Sequence, residues 1–123
     1  MIDFQNPEVF KLHEAPDAYD GVLEPILTTD EEIISSYKSV RDGIVFTDKR
    51  IIVISFDGVT GKRRDITSLP YKTVQAFSVE TAAVFDTDCE LVLWFCGMGQ
   101  LRFEFLGSKK VLEICRIVSE FAL

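Results

Sequence analysis

Four side chains in this sequence carry the chemistry most often used for nucleophilic attack or soft-metal binding: the only histidine, His13, and the cysteines Cys89, Cys96 and Cys115. A hydrolytic cysteine needs a histidine base and an orienting acid within hydrogen-bond reach, and a zinc site needs thiolates or imidazoles at short regular spacing. No Cys-x-x-Cys pair occurs, and no catalytic signature surrounds any of the three cysteines. Cys89 and Cys96 fall on one extended segment, which sets them about 23 Å apart on opposite faces and excludes a disulfide between them. The cysteines are expected as small buried hydrophobes and His13 as a surface or packing residue.

Two charged clusters remain. Asp86, Asp88 and Glu90 alternate, but calcium takes six or more oxygens from a looped chain, whereas alternation on an extended segment only lines charge along one side. They are expected as a turn leading into a polar strand start. Lys62-Arg63-Arg64, with Lys49 and Arg50 not far upstream, is the only basic cluster and is the candidate for holding a phosphate or lipid headgroup. Its plainer reading is a solvated edge strand. The net charge of -7 opposes nucleic acid and anionic membranes, which attract basic proteins. No nucleic-acid partner, no cofactor, no metal and no catalytic centre are expected, and membrane association is disfavoured.

These residues need a scaffold, and 123 residues with 47% hydrophobic and 27% charged content suffice for one domain with its own core. The amino terminus lacks the positive and apolar regions of a secretion signal, and the longest apolar run, residues 91–96, cannot cross a bilayer. A cytoplasmic protein is expected.

Residues 1–29 read as an amino-terminal arm and a short helix packing on the domain, and residues 30–123 as the domain itself. The first 15 residues show no clear period and are expected to be irregular, anchored by Phe4, Val9, Phe10 and Leu12. From Pro16 the helical spacing of Tyr19, Val22, Leu23, Ile26 and Leu27 predicts a helix that is short or breaks near Pro25. Strands are predicted over 33–40, 41–47, 50–56, 62–68, 73–81, 90–96 and 101–105. The hairpin around Thr47-Asp48-Lys49 is the clearest of these turns. Val111, Ile114, Cys115, Val118, Phe121 and Ala122 repeat at three- and four-residue steps, which predicts an amphipathic closing helix. The fold class is mainly β with α: about seven antiparallel strands in a bent sheet or open barrel, plugged by that carboxy-terminal helix and preceded by a helical extension.

Both faces of two strands are apolar. Leu91, Leu93 and Phe95 oppose Val92, Trp94 and Cys96, and Ile51 and Val53 oppose Ile52 and Ile54. One sheet with one helix buries a single face, so the outer face requires the amino-terminal helix, a neighbouring subunit, or both.

Glu32-Ile33 leading to Ser36-Tyr37-Lys38, and the run from Arg41-Asp42-Gly43 through Thr47-Asp48-Lys49-Arg50 to Ile51-Ile52, open a specific resemblance. It continues in order through Thr60-Gly61-Lys62, Leu69-Pro70-Tyr71, Phe77-Ser78-Val79-Glu80 and Phe85-Asp86-Thr87-Asp88-Cys89. Together these pieces resemble the bacterial pleckstrin-homology family, formerly a domain of unknown function, over residues 17–123. The resemblance implies a non-enzymatic interaction module that assembles with itself into a cyclic homo-oligomer, a ring of pentameric type, and scaffolds contacts with other proteins. The candidate oligomer surface is Phe85, Val92, Trp94 and Cys96. The alternative is a peripheral domain binding phospholipid or phosphate headgroups through Lys62, Arg63 and Arg64. That basic cluster does not coincide with the first hairpin loop, residues 39–43, where eukaryotic members carry their basic residues.

Overall fold

Thr47-Asp48-Lys49 turns the chain between two strongly apolar strands, and the rest of the sheet grows outward from that hairpin. The computed structural model describes residues 2, 4, 9–57, 63–81, 89–106 and 111–123. Its elements run β1 (Val9–Glu14), α1 (Asp20–Leu23), β2 (Ile33–Lys38), β3 (Asp42–Thr47), β4 (Arg50–Asp57) and β5 (Arg63–Pro70). A 3-10 turn over Tyr71–Thr73 follows, then β6 (Val74–Thr81), β7 (Cys89–Phe95), β8 (Gly99–Phe105) and α2 (Val111–Ala122). The strands form one sheet in the order β5-β4-β3-β2-β1-β8-β7-β6, curled into a half-barrel with α2 as its helix.

The main departure from expectation is β1. Instead of an irregular arm, residues 9–14 form a strand in the middle of the sheet, antiparallel to β2 and parallel to β8, with Val9 opposite Arg102 and Leu12 opposite Phe105. The described sheet therefore has eight strands and one parallel pair. Phe10 and Leu12 point into the core at period two while Lys11 and His13 stay exposed, and the Phe10 ring stacks on Phe103 at 5.5 Å. The pairing is parallel and joins the two ends of the chain, so no local turn announces it.

The inner face collects Tyr37, Phe46, Phe103 and Phe105, whose rings lie edge-on or tilted at centroid distances of 5.1–5.7 Å, within the range in which aromatic pairs attract. Val111, Ile114 and Val118 of α2 belong to the same cluster, each burial contributing about 1.5–3 kcal/mol. Phe121, expected in that stripe, is instead 48% exposed. It lies near the end of α2 and stacks on Tyr71 at 6.4 Å.

On the outer face, residues 15–31 form a strap across β3 and β4. Tyr19 and Leu23 pack with Val45, Ile52 and Ile54, flanked by Leu27, Ile33 and Ile66. The helix has only four residues, as Pro25 leads one to expect, and the chain leaves it through a bond from Ile26 N–H to the Leu23 carbonyl. Gly43 permits the close approach: a Cβ there would sit 2.5–2.8 Å from atoms of the Tyr19 ring.

Candidate functional site

The residues with catalytic potential do not converge. His13 is exposed on β1, whereas Cys89 and Cys115 are half-buried against the core. Burial, with Cys89 nearby, pushes the Cys115 thiol up and away from the reactive thiolate. Cys96 is exposed, contrary to expectation, because β7 ends at Phe95 and Cys96 enters the turn in which Gly97 takes φ 76°. Among the described residues no group of three His, Cys, Asp or Glu side chains could hold a metal ion. Asp86 and Asp88 lie outside the described residues, and the Glu90 carboxylate accepts a hydrogen bond from Arg102 on the neighbouring strand.

The basic cluster is only partly described, since Lys62 lies outside the described residues. Arg63 and Arg64 are exposed at the start of the edge strand β5. The Arg64 guanidinium sits 6.0 Å above the Phe56 ring, within reach of a cation–π attraction. Phe56 also borders a cleft of about 400 Å³ with Tyr19, Lys38, Val40, Arg41 and the carboxylate of Asp42. The fold thus places Arg64 and the β2–β3 hairpin at one end of the sheet. Sequence reasoning set these residues apart because they are separated along the chain.

The outer face of the other half is arranged differently. Cross-strand register puts Val9, Arg102, Val92 and Ser78 in one row and Gln100, Trp94 and Ala76 in the next. Lys11, Glu104, Glu90 and Glu80 form a charged row beside them. Trp94 is 38% exposed and Val9 45% exposed, while Val92 is buried at 7%. Of the four residues expected on an oligomer surface, Trp94 and Cys96 are exposed and Val92 is not, being flanked by its row on both sides. Phe85 lies outside the described residues. Among the described residues the strap over β3 and β4 has no counterpart on this half.

A further cluster escaped sequence reasoning altogether. The Glu31 side chain is fully buried yet charged, and Arg50 donates to both its oxygens, Nε at 2.9 Å and Nη2 at 2.8 Å. Thr47 Oγ1 donates to the same carboxylate at 2.6 Å, and the Thr28 N–H at 3.2 Å. Desolvation alone would raise the Glu31 pKa, but the hydrogen bonds from Arg50, Thr47 and Thr28 and the Arg50 charge outweigh it and hold the carboxyl below its ordinary value. The hydroxyl of buried Tyr71 donates to the Thr47 carbonyl at 2.7 Å, and burial pushes that phenol up so that it remains a donor. The arrangement fastens the end of the strap to the start of β4. The partners are 16 and 19 residues apart in sequence, a separation with no local pattern.

The family model described as bacterial PH domain matches residues 4–122. YjqA of Bacillus subtilis strain 168 is 49% identical over 99 residues, 79% of each chain. A crystal structure of a Shewanella loihica protein with a pleckstrin-homology domain superposes with TM-score 0.73 at 38% identity, covering 93% of this chain and 99% of that one. The pleckstrin-homology domain from Shewanella amazonensis gives TM-score 0.59 at 40% identity, covering 90% and 94%. A match over nearly the whole chain, carried by both sequence and fold, places the protein in the bacterial pleckstrin-homology domain family.

Proposed function

We propose that the protein is a non-enzymatic cytoplasmic interaction module that assembles with itself into a ring and scaffolds contacts with other proteins. The observation that carries this reading is the unequal cover of the outer face by the described residues. The strap buries Val45, Ile52 and Ile54, while Trp94 and Val9 on the other half stay exposed, and exposed apolar surface of this kind favours a protein contact. The sheet also has two unlike edges, β5 and β6. Contact between unlike patches generates rings when the rotation closes, whereas a single self-complementary patch stops at a dimer. The pentameric ring size comes from the family resemblance. Light scattering on the purified protein should give a mass several times that of one chain, and Trp94→Asp should reduce it to the monomer. A wild-type monomer from micromolar to millimolar concentration overturns the ring. A ring that survives Trp94→Asp places the interface elsewhere.

A second reading, an anionic-headgroup binder, draws on the end of the sheet where Lys38, Val40, Arg41, Asp42 and Phe56 line one cleft and Arg64 lies over Phe56. The net charge of -7 opposes it, because screening over about 10 Å at 0.1 M salt leaves only local attraction. Phosphoinositide vesicles are therefore expected to bind weakly or not at all at physiological salt in a flotation assay. Salt-sensitive binding that disappears on joint alanine substitution of Lys38, Arg41 and Arg64 would favour this reading over the first.

A further inference from the structure

At the opposite end of β4 from Phe56, between the strap, the end of β5 and α2, lies a cleft of about 420 Å³ lined by Thr28, Lys49, Arg50, Pro70, Lys72 and Phe121, with Glu31. Three cations face one carboxylate there, a net charge of +2 on the lining of a chain whose whole charge is -7. Glu31 is spoken for by Arg50, so the two lysines supply the excess. Among the described residues Lys49 Nζ donates only to the Thr28 hydroxyl, and the Lys72 side chain has no ion pair or hydrogen bond. Beside them Phe121 presents a half-exposed ring backed by Tyr71, with Pro70 also on the apolar wall.

We propose that this cleft docks a segment of a partner protein in which an acidic side chain lies next to an aromatic or large aliphatic one. The carboxylate is recognised by Lys49 and Lys72, and the apolar group packs on Phe121 and Pro70. Charge complementarity fixes the sign of the occupant, because a carboxylate gains from two ammonium groups that no acidic side chain among the described residues neutralises. The shape favours a protein segment over a free small molecule. Thr28, Lys49, Lys72 and Phe121 are all exposed, so an occupant keeps one side in water, whereas small-molecule sites enclose most of their ligand. The Arg50–Glu31 pair and the Tyr71 bond to Thr47 hold the floor rigid, which limits the ordering that binding requires. Trp94 is not part of the cleft lining, so Trp94→Asp leaves these residues in place and lets docking be tested apart from assembly.

The test uses the full chain and short blocked peptides carrying Asp-Phe, Asn-Phe or Asp-Ala at their centre, titrated by NMR with amide shifts as the readout. The Asp-Phe peptide is expected to saturate at millimolar concentration and to shift Lys49, Lys72 and Phe121. The Asn-Phe and Asp-Ala peptides should each bind about tenfold more weakly, a difference of about 1.4 kcal/mol. In Lys49→Gln/Lys72→Gln the preference for Asp over Asn should vanish while the thermal midpoint stays unchanged. The proposal is overturned if the Asp-Phe peptide gives no saturable shift, or if the Asn-Phe peptide binds equally. It is also overturned if free phenylacetate binds as tightly as the peptide, which would make the cleft a small-molecule site. A lower thermal midpoint in the double variant with unchanged peptide preference would assign the lysines to balancing the carboxyl end of α2 instead. A changed particle mass in that variant would make the cleft a contact between copies of this chain.

Discussion

Glu31→Ala should destabilise the protein by about 3–5 kcal/mol, the loss expected when one partner of a buried ion pair is removed and the other is left without compensation. The Glu31 side chain is fully buried while that of Arg50 is 17% exposed, so partial access of Arg50 to water places the effect towards the lower end. Three donors lose their acceptor at once: the Arg50 guanidinium, the Thr47 hydroxyl and the Thr28 N–H. Glu31→Gln keeps one acceptor oxygen and removes the charge, and its loss should be about half as large, on the order of 2 kcal/mol. Urea unfolding, read as a shift in midpoint at constant slope, measures both. A loss under about 1 kcal/mol for Glu31→Ala would show that the strap does not depend on this latch.

The same carboxylate sets a pH dependence with a definite sign. Its folded pKa lies below the ordinary value of 4.5, so the unfolded chain binds its proton first as pH falls. Its contribution is fully present above pH 4.5 and is lost as pH drops below that value through the folded pKa. The stability difference between wild type and Glu31→Gln should therefore be constant from neutral pH down to the unfolded value and shrink below it. A difference that grew on acidification would contradict the assignment.

How much of this was legible beforehand depends on how local each interaction is. The β3–β4 hairpin, the charged edge strand β5 and the apolar stripe of α2 are written in neighbouring residues: turn formers at Thr47-Asp48-Lys49, charge at Arg63-Arg64, and helical spacing from Val111 to Val118. β1 was missed because only Phe10 and Leu12 mark its inward face, and because its partner β8 comes some 90 residues later. The Glu31 latch was missed for a related reason: a glutamate in Thr28-Thr29-Asp30-Glu31-Glu32 looks like any polar link until β3 and β4 bring Thr47 and Arg50 to it. The Trp94 face was half legible. Alternation identified Val92, Trp94 and Cys96 as one side of a strand, but the burial of Val92 depends on the rows that cross-strand register builds around it, and register is not visible in one strand. Which half of the outer face the described residues cover follows from where the strap lies, and its composition, Tyr19, Leu23 and Leu27, suits either half.

Ile114→Ala should destabilise the fold by about 2–5 kcal/mol, because a fully buried side chain is replaced by a cavity that the surrounding rings cannot fill. Ile114 lies in the middle of α2 and shares its cluster with Leu101, Phe103 and Phe105, and those aromatic side chains are too rigidly packed against Tyr37 and Phe46 to collapse inward. Ile114→Val, which removes one methylene, should cost about 0.5–1.5 kcal/mol. Leu112→Ala is the internal control: at 76% exposure on the same helix it should fall within about 0.5 kcal/mol of wild type. A loss under about 1 kcal/mol for Ile114→Ala would place that residue at the surface and remove α2 from the core. The helix packs on the inner face and Trp94 stands on the outer one, so the two substitutions should separate cleanly. Below its unfolding transition Ile114→Ala should keep the particle mass of the wild type while losing stability. Trp94→Asp should lose the mass and leave the unfolding of the individual chain nearly unchanged. If both quantities moved together in both variants, folding and assembly would be one process, and the outer face could not act as an interface added to a self-sufficient domain.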